Sequence, residues 1–224
     1  MAKTKSALLV GASGLVGRQC LQFLLEEPSY THIVVLVRRS LSITHNKLVQ
    51  HVVDFSELDT LGDYFTTDDV YCCLGTTIKK AGTQEAFRKV DFDYPIKIAA
   101  LTQHLGANQF LIVTSLGANP HSRIFYNRVK GEVEEAIGKI SFPTINIFRP
   151  SLLLGDLTEH RTGEKAGAFI ISGLKYMMMG PFRKYRPIQS RDVAKVMVQV
   201  AQKNLKGLNI FESKQIQKIA DSVR

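Results

Sequence analysis

The chain has 224 residues, of which 45% are hydrophobic, and a formal net charge of +9 at pH 7. This length suits one α/β domain and excludes a Rossmann domain joined to a second domain of full size. The three cysteines, Cys20, Cys72 and Cys73, lack the spacing of a zinc site or a disulfide framework. Because no apolar run approaches a membrane span or the core of a signal peptide, we expect a soluble, cytoplasmic protein without a bound metal.

The positive charge is spread along the chain in small groups, at residues 38–39, 79–80 and 183–186. A nucleic-acid binder usually has a basic tract, or a basic stripe interleaved with aromatic residues, and neither pattern is found here. Nucleic-acid binding would therefore rest on net charge alone. We expect a small-molecule substrate and no nucleic acid as partner, in a monomer or a homodimer.

Short apolar runs rich in β-branched residues alternate with longer segments of helical period. Near-continuous apolar runs are typical of strands covered on both faces, as in a parallel sheet. We predict strands at residues 7–10, 33–37, 48–53, 70–74, 110–114, 144–148 and 208–211, and helices at 14–26, 84–105, 121–140 and 191–203. This order predicts an α/β protein with a Rossmann-type, doubly wound parallel sheet of about seven strands, as a single domain over residues 1–224.

Three glycines, at the spacing Gly-x-x-Gly-x-x-Gly, follow the first predicted strand and open the first helix. In this setting one glycine makes the tight turn, one lets the backbone approach a pyrophosphate, and one lets the helix pack close to the strand. The free N–H groups of the helix then face the phosphates. The residues predicted to form this dinucleotide loop are Gly11, Ser13, Gly14, Leu15, Val16 and Gly17.

The second predicted strand ends in Arg38-Arg39, where an NAD-binding protein would carry an acidic residue for the ribose hydroxyl. An arginine at this position can instead bind the 2′-phosphate of NADP. We therefore expect NADP(H) as the cofactor, with NAD(H) less favoured. The alternative is a pair of solvated charges in the next loop.

Two further turns follow predicted strands on the cofactor side. Asp54-Phe55 follows the third strand, where the carboxylate could bind the adenine amino group or could cap the next helix. Leu74-Gly75-Thr76 follows the fourth strand, where small residues would let the cofactor ribose approach the backbone. Cys72 and Cys73 are interpreted as core residues rather than reactive thiols.

A Ser/Tyr/Lys set is predicted at the same edge of the sheet. Thr114-Ser115 ends the fifth strand, and Tyr126 and Lys130 share one helix face at a spacing of four residues. A nearby ammonium favours the phenolate of a tyrosine, which can then exchange a proton with a substrate oxygen that a serine hydroxyl holds. The alternative is a half-buried helix aromatic beside a surface lysine.

Taken together, these motifs resemble the short-chain dehydrogenase/reductase family, in its extended and atypical branches. Residues 69–82 and 90–94 are most similar to the Tat-interacting oxidoreductase-like proteins of the atypical branch. The resemblance implies NADP(H)-dependent carbonyl–alcohol chemistry by Ser115, Tyr126 and Lys130. Further cofactor contacts are implied at Thr114, Tyr126, Lys130, Arg149, Pro150 and Ser151.

One residue departs from the family pattern. Many members have an asparagine that supports a proton-relay water, and the matching position here is Asp91. The family also contains proteins that bind NADPH as sensors or regulators, so a non-catalytic regulatory protein is the alternative to an enzyme. On the substrate side, residues 155–190 depart from the sheet pattern. They would form a lid with an apolar pocket, or a helix packed on the core.

Overall fold

The computed structural model describes residues 4–155, 186–203 and 205–222. Seven parallel strands form one sheet in the order β3-β2-β1-β4-β5-β6-β9, and β7 and β8 form a separate parallel pair. The strands are β1 (Lys5–Val10), β2 (Tyr30–Val37), β3 (Leu48–Val52), β4 (Asp69–Cys72), β5 (Gln109–Val113), β6 (Thr144–Arg149), β7 (Leu153–Leu154), β8 (Ile188–Gln189) and β9 (Gly207–Glu212). The predicted Rossmann-type sheet is confirmed, because each of its seven strands coincides with a predicted apolar run.

Helices connect the strands. The described helices are α1 (Leu15–Glu26), α2 (Ile78–Ala81), α3 (Gln84–Arg88), α4 (Tyr94–His104), α5 (Phe125–Gly138), α6 (Ser190–Ala201) and α7 (Ser213–Asp221), with 3₁₀ turns at Phe55–Thr60 and Gly62–Phe65. The long helix predicted over residues 84–105 is interrupted by a π turn at Lys89–Asp93. Such turns insert an extra residue into a helix and often occur at functional sites.

Helices cover both faces of the sheet, because the central strands carry apolar side chains on both faces. On β1, Ala7 and Leu9 pack on the side of α1, α6 and α7, whereas Leu8 and Val10 pack on the side of α4 and α5. All four side chains are fully buried. The strands β3 and β9 are only partly buried, which is expected because each has a neighbouring strand on one side only.

The strand order creates a crevice at the carboxyl ends of β1 and β4. From β1 the chain goes to β2 and β3 on one side, and it later continues through β4, β5 and β6 on the other. Ligands of open α/β sheets bind outside the carboxyl ends of the strands at such a switch point. The predicted cofactor loop follows β1 and therefore lies at this crevice.

The predicted lid over residues 155–190 falls largely outside the described residues. In the described ranges, no helix is long and apolar enough to cross a membrane.

Candidate functional site

The glycine loop between β1 and α1 has the geometry of a dinucleotide cradle. Gly11 has a φ of +83°, and a Cβ there would lie 2.4 Å from the carbonyl oxygen of Cys73. A Cβ on Gly17 would lie 2.1 Å from the Gly11 oxygen, so this glycine lets α1 pack against the loop. Gly14 is less crowded, with the nearest atom at 3.3 Å, and no side chain caps the helix that it precedes. This division of roles fits a pyrophosphate at the start of α1.

A cleft of about 260 Å³ opens beside this loop. Of the residues predicted to bind the cofactor, eight line it: Gly11, Ser13, Gly14, Arg38, Phe55, Leu74, Gly75 and Thr76. Five others do not line the cleft: Leu15, Val16 and Gly17 form the first turn of α1, and Arg39 and Asp54 lie in the turns after β2 and β3. Sequence reasoning missed Lys80, Val90 and Tyr94, which come from α2, the π turn and α4.

Asp54 takes the capping role. Its carboxylate accepts a hydrogen bond of 2.8 Å from the backbone N–H of Ser56, at the start of the 3₁₀ turn. Hydrogen bonding by Ser56, through its hydroxyl and its backbone N–H, lowers the pKa of Asp54. Phe55, the next residue, is buried and lies 5.5 Å from Tyr94 between ring centroids, and both rings line the cleft. The two aromatic residues give this end of the cleft a wall suited to a planar base.

Lys130 forms a buried ion pair with Asp91 of the π turn. Its Nζ lies 2.7 Å from Oδ1 of Asp91, and the two side chains are 6% and 0% exposed. The other carboxylate oxygen accepts a hydrogen bond of 2.9 Å from the backbone N–H of Thr76. Burial alone would lower the pKa of Lys130, but the neighbouring carboxylate outweighs it and the pKa is raised. The lysine therefore stays charged.

The ion pair borders the cleft at Gly75. A Cβ added to this glycine would lie 3.7 Å from Asp91 Oδ1 and 3.9 Å from Lys130 Nζ. Because Gly75 also lines the cleft, the pair lies directly behind the cleft wall. A group entering at Gly75 would meet a lysine whose charge is already balanced by a carboxylate.

Ser115 and Tyr126 lie at the same end of the sheet. Ser115 follows β5 and is only 9% exposed, and its hydroxyl has no hydrogen-bond partner in the described part of the chain. Buried hydroxyls are usually paired, so an unpaired one at this end of the sheet is a candidate hydrogen-bond donor. Tyr126 is half-buried in the first turn of α5, with its ring 5.6 Å from that of Phe87. Neither residue lines the cleft.

Four other predicted cofactor residues are held by protein partners. The Thr114 hydroxyl donates to Glu134 of α5 at 2.5 Å. The Arg149 guanidinium also bonds Glu134, with its Nε 3.0 and 3.1 Å from the two carboxylate oxygens. Ser151 bonds the hydroxyl of Ser213 at 2.9 Å. Pro150 is buried, and its carbonyl accepts a bond from the N–H of Leu116. These contacts tie β5, β6 and α5 together behind the site.

Two cysteines lie beside the cleft: Cys72 ends β4, and Cys73 follows it and lines the cleft. All three cysteines are free. Burial raises the pKa of Cys72 to about 12. A hydrogen bond with Cys20, together with burial, raises the pKa of Cys73. Since the thiolate is the nucleophilic form, these raised pKa values disfavour nucleophilic chemistry. Cys72 is buried in the core, whereas Cys73 is half-buried.

The fold and this site define the class of the protein. The chain belongs to the NAD dependent epimerase/dehydratase family, whose model matches residues 7–217. Protein HTATIP2 of Rattus norvegicus is 39% identical over 166 residues, covering 72% of this chain and 68% of that protein. Protein FMP52, mitochondrial, of Candida albicans is 31% identical over 208 residues, covering 90% of each chain. The resemblance to Tat-interacting oxidoreductase-like proteins is thereby confirmed.

Solved structures share the fold at low sequence identity. MoeE5 in complex with UDP-glucose and NAD matches with a TM-score of 0.68 and 13% identity, over 97% of this chain and 81% of that one. A short chain dehydrogenase family protein from Francisella tularensis matches with a TM-score of 0.66 and 13% identity, over 96% and 99% of the two chains. These likenesses concern the Rossmann-like architecture.

The expected cytoplasmic location is wrong in the light of these relatives. Several fungal relatives, from Candida albicans, Eremothecium gossypii and Scheffersomyces stipitis, are named mitochondrial. The expectation rested on reduced cysteines and on the lack of a long apolar run. Neither property distinguishes one reducing compartment from another, so composition could not support the narrower statement.

Proposed function

We propose that this protein is an NADP(H)-dependent oxidoreductase that interconverts a small carbonyl compound and its alcohol. The observation that carries the proposal is the grouping of two features at one sheet edge. The first is the glycine-loop cleft with Arg38 in its wall, and the second is the Ser115, Tyr126 and Lys130 set behind it. The family match supports the coarser class of an NAD(P)-binding oxidoreductase.

In the proposed reaction the protein binds and orients the substrate and exchanges a proton with it. The unpaired Ser115 hydroxyl would donate a hydrogen bond to the substrate oxygen and stabilise negative charge on it. The Tyr126 hydroxyl would give a proton to that oxygen during reduction and take it back during oxidation. The nicotinamide, when bound, supplies the hydride chemistry.

The NADP(H) preference rests on the charge at the end of β2. Arg38 is exposed, lines the cleft and has no acidic partner in the described part of the chain. An arginine there attracts a phosphate on the adenosine ribose, whereas NAD recognition requires an acceptor for the ribose hydroxyls. The solved neighbours whose titles name NAD share only the fold with this chain, so they do not decide its preference.

A second candidate function is NADPH-dependent regulation without turnover. The Asp91–Lys130 pair favours it, because the carboxylate balances the ammonium that would otherwise promote the phenolate of Tyr126. In this case the protein binds NADPH and responds to it, but does not consume it. The two candidates share the cofactor site and differ only in the use of Tyr126.

Turnover of a panel of aldehydes and ketones with NADPH separates the candidates. If the enzyme reading holds, Tyr126→Phe should lower kcat by about 10²–10⁴-fold while NADPH affinity is kept. Tyr64→Phe is the matched control, since Tyr64 stacks on His51 beside the sheet edge. A wild type that is inactive on every compound, paired with an active Asp91→Asn variant, would instead favour the regulatory candidate.

A further inference from the structure

A second cation, Lys80, shares the cleft with Arg38. Lys80 lies in α2, in the connection that follows β4, whereas Arg38 follows β2, on the other side of β1. Both side chains are exposed and line the same cleft. Neither has an acidic partner within residues 4–155, 186–203 and 205–222. The cleft therefore carries two uncompensated positive charges.

The rest of the cleft already accounts for the other parts of a dinucleotide. The loop from Gly11 to Gly14 offers the start of α1 to the pyrophosphate. Around the cations the wall is apolar or aromatic, formed by Leu36, Val37, Phe55, Val90 and Tyr94. This wall suits a purine ring, which carries no charge. Two cations beside a wall that suits a purine favour an adenosine that carries a further anionic group.

The Lys80 backbone is fixed in a way that suits recognition. The Thr77 side chain caps α2 by accepting a 3.2 Å bond from the Lys80 N–H, and Gly82 ends the helix with a φ of +83°. A side chain on an anchored turn loses less freedom when it binds than one on an open loop. Lys79, its neighbour on the same short helix, does not line the cleft.

We propose that Lys80 acts with Arg38 to bind the 2′-phosphate of the adenosine ribose, and that the pair sets the preference for NADP(H). This inference rests on the proposed NADP(H) function. It adds a residue that determines cofactor specificity, in the connection that follows β4. Arg38 supplies a planar guanidinium for the phosphate oxygens, and Lys80 supplies a point charge from the opposite wall.

Binding of NADPH and NADH to the full chain, measured by calorimetry, tests the inference without any turnover. We expect Lys80→Ala to weaken NADPH binding about tenfold, as for one charge-assisted hydrogen bond, and to leave NADH binding unchanged. Lys79→Ala is the matched control and should leave both affinities unchanged. Adenosine 2′,5′-bisphosphate and AMP provide the same comparison for the adenosine half alone.

The outcomes distinguish this inference from the function on which it rests. Equal losses for NADPH and NADH in Lys80→Ala would place Lys80 on the pyrophosphate and overturn the inference, as would a full NADPH preference in that variant. A wild type that binds NADH as tightly as NADPH would overturn both the cofactor proposal and the inference. Unchanged melting temperatures in both lysine variants would show that any loss is local.

Discussion

The two edges of the sheet use polar groups in opposite ways. At the amino edge, the first residues of four strands (Lys5, Tyr30, Asp69 and Gln109) bond one another and, together with Tyr71 and Gln202, form an amino-edge network. The Asp69 carboxylate accepts from Lys5, Tyr30 and Gln109. At the carboxyl edge, the Ser115 hydroxyl has no partner in the described residues, and Arg38 and Lys80 have no acidic neighbour there.

This difference separates the polar groups that stabilise the fold from those that are available to a ligand. Buried polar groups that satisfy one another specify a structure and leave no capacity for a ligand. Polar groups that lack partners cost stability unless a ligand supplies them. The Asp91–Lys130 ion pair, like the bonds of Glu134 to Thr114 and Arg149, is an exception at the carboxyl edge, because its two buried charges face each other there. It should therefore respond to mutation as a structural pair does, although it lies beside the cleft.

Removing one partner of this pair should have the largest effect. Asp91→Ala leaves the Lys130 ammonium buried without its carboxylate, so we expect a loss of about 3–5 kcal/mol in the free energy of unfolding. Asp59→Ala is the matched control, because Asp59 is exposed and Lys97 only partly buried, so their ion pair should contribute less than about 1 kcal/mol. Urea unfolding followed by circular dichroism measures both. A loss in Asp91→Ala no larger than that in Asp59→Ala would show that Lys130 is not held by Asp91.

A smaller effect should distinguish partnered from unpartnered hydroxyls at the two edges. Tyr30→Phe removes a hydroxyl that bonds Asp69 and Tyr71, so we expect a loss of about 1–3 kcal/mol. Ser115→Ala removes a hydroxyl without a partner and should leave stability unchanged or raise it by up to about 1 kcal/mol. The same urea unfolding measures both variants. Destabilisation by Ser115→Ala equal to that by Tyr30→Phe would mean that Ser115 has a structural bond.

The sheet and the glycine loop could be predicted from the sequence because their signals are local. Apolar runs define the strands, and the spacing from Gly11 to Gly17 follows directly after one of them. The contact of Arg149 with Glu134 was missed, although Tyr126, Lys130 and Glu134 recur every four residues on one face of α5. The polar residue that begins β1, β2, β4 and β5 was an equally readable signal of the amino-edge network.

Other parts of the site depend on tertiary structure and have no local signal. Asp91 meets Lys130 because a π turn interrupts the helix predicted over residues 84–105. Lys80 reaches the cleft through a four-residue helix, shorter than any that hydrophobic periodicity can identify. The pairing of residues far apart in sequence depends on how these irregular turns pack, which composition and spacing do not encode.

The smallest effect expected concerns the pH dependence of the amino-edge network. Burial raises the pKa of Asp69, although bonds from Tyr30 and Gln109 oppose the rise. The folded state therefore binds this proton more tightly than the unfolded state, in which the aspartate pKa is about 3.9. Stability from this group is present below that value and is lost as the pH rises through the folded pKa.

Asp69→Asn should remove this decline with pH. The stability of this variant relative to wild type should therefore increase with pH, as urea unfolding at successive pH values would show. Tyr30→Phe should extend the decline to higher pH, because it removes a bond that lowers the Asp69 pKa. A difference between wild type and Asp69→Asn that is constant with pH would contradict the prediction and would mean that Asp69 is paired well enough to offset its burial.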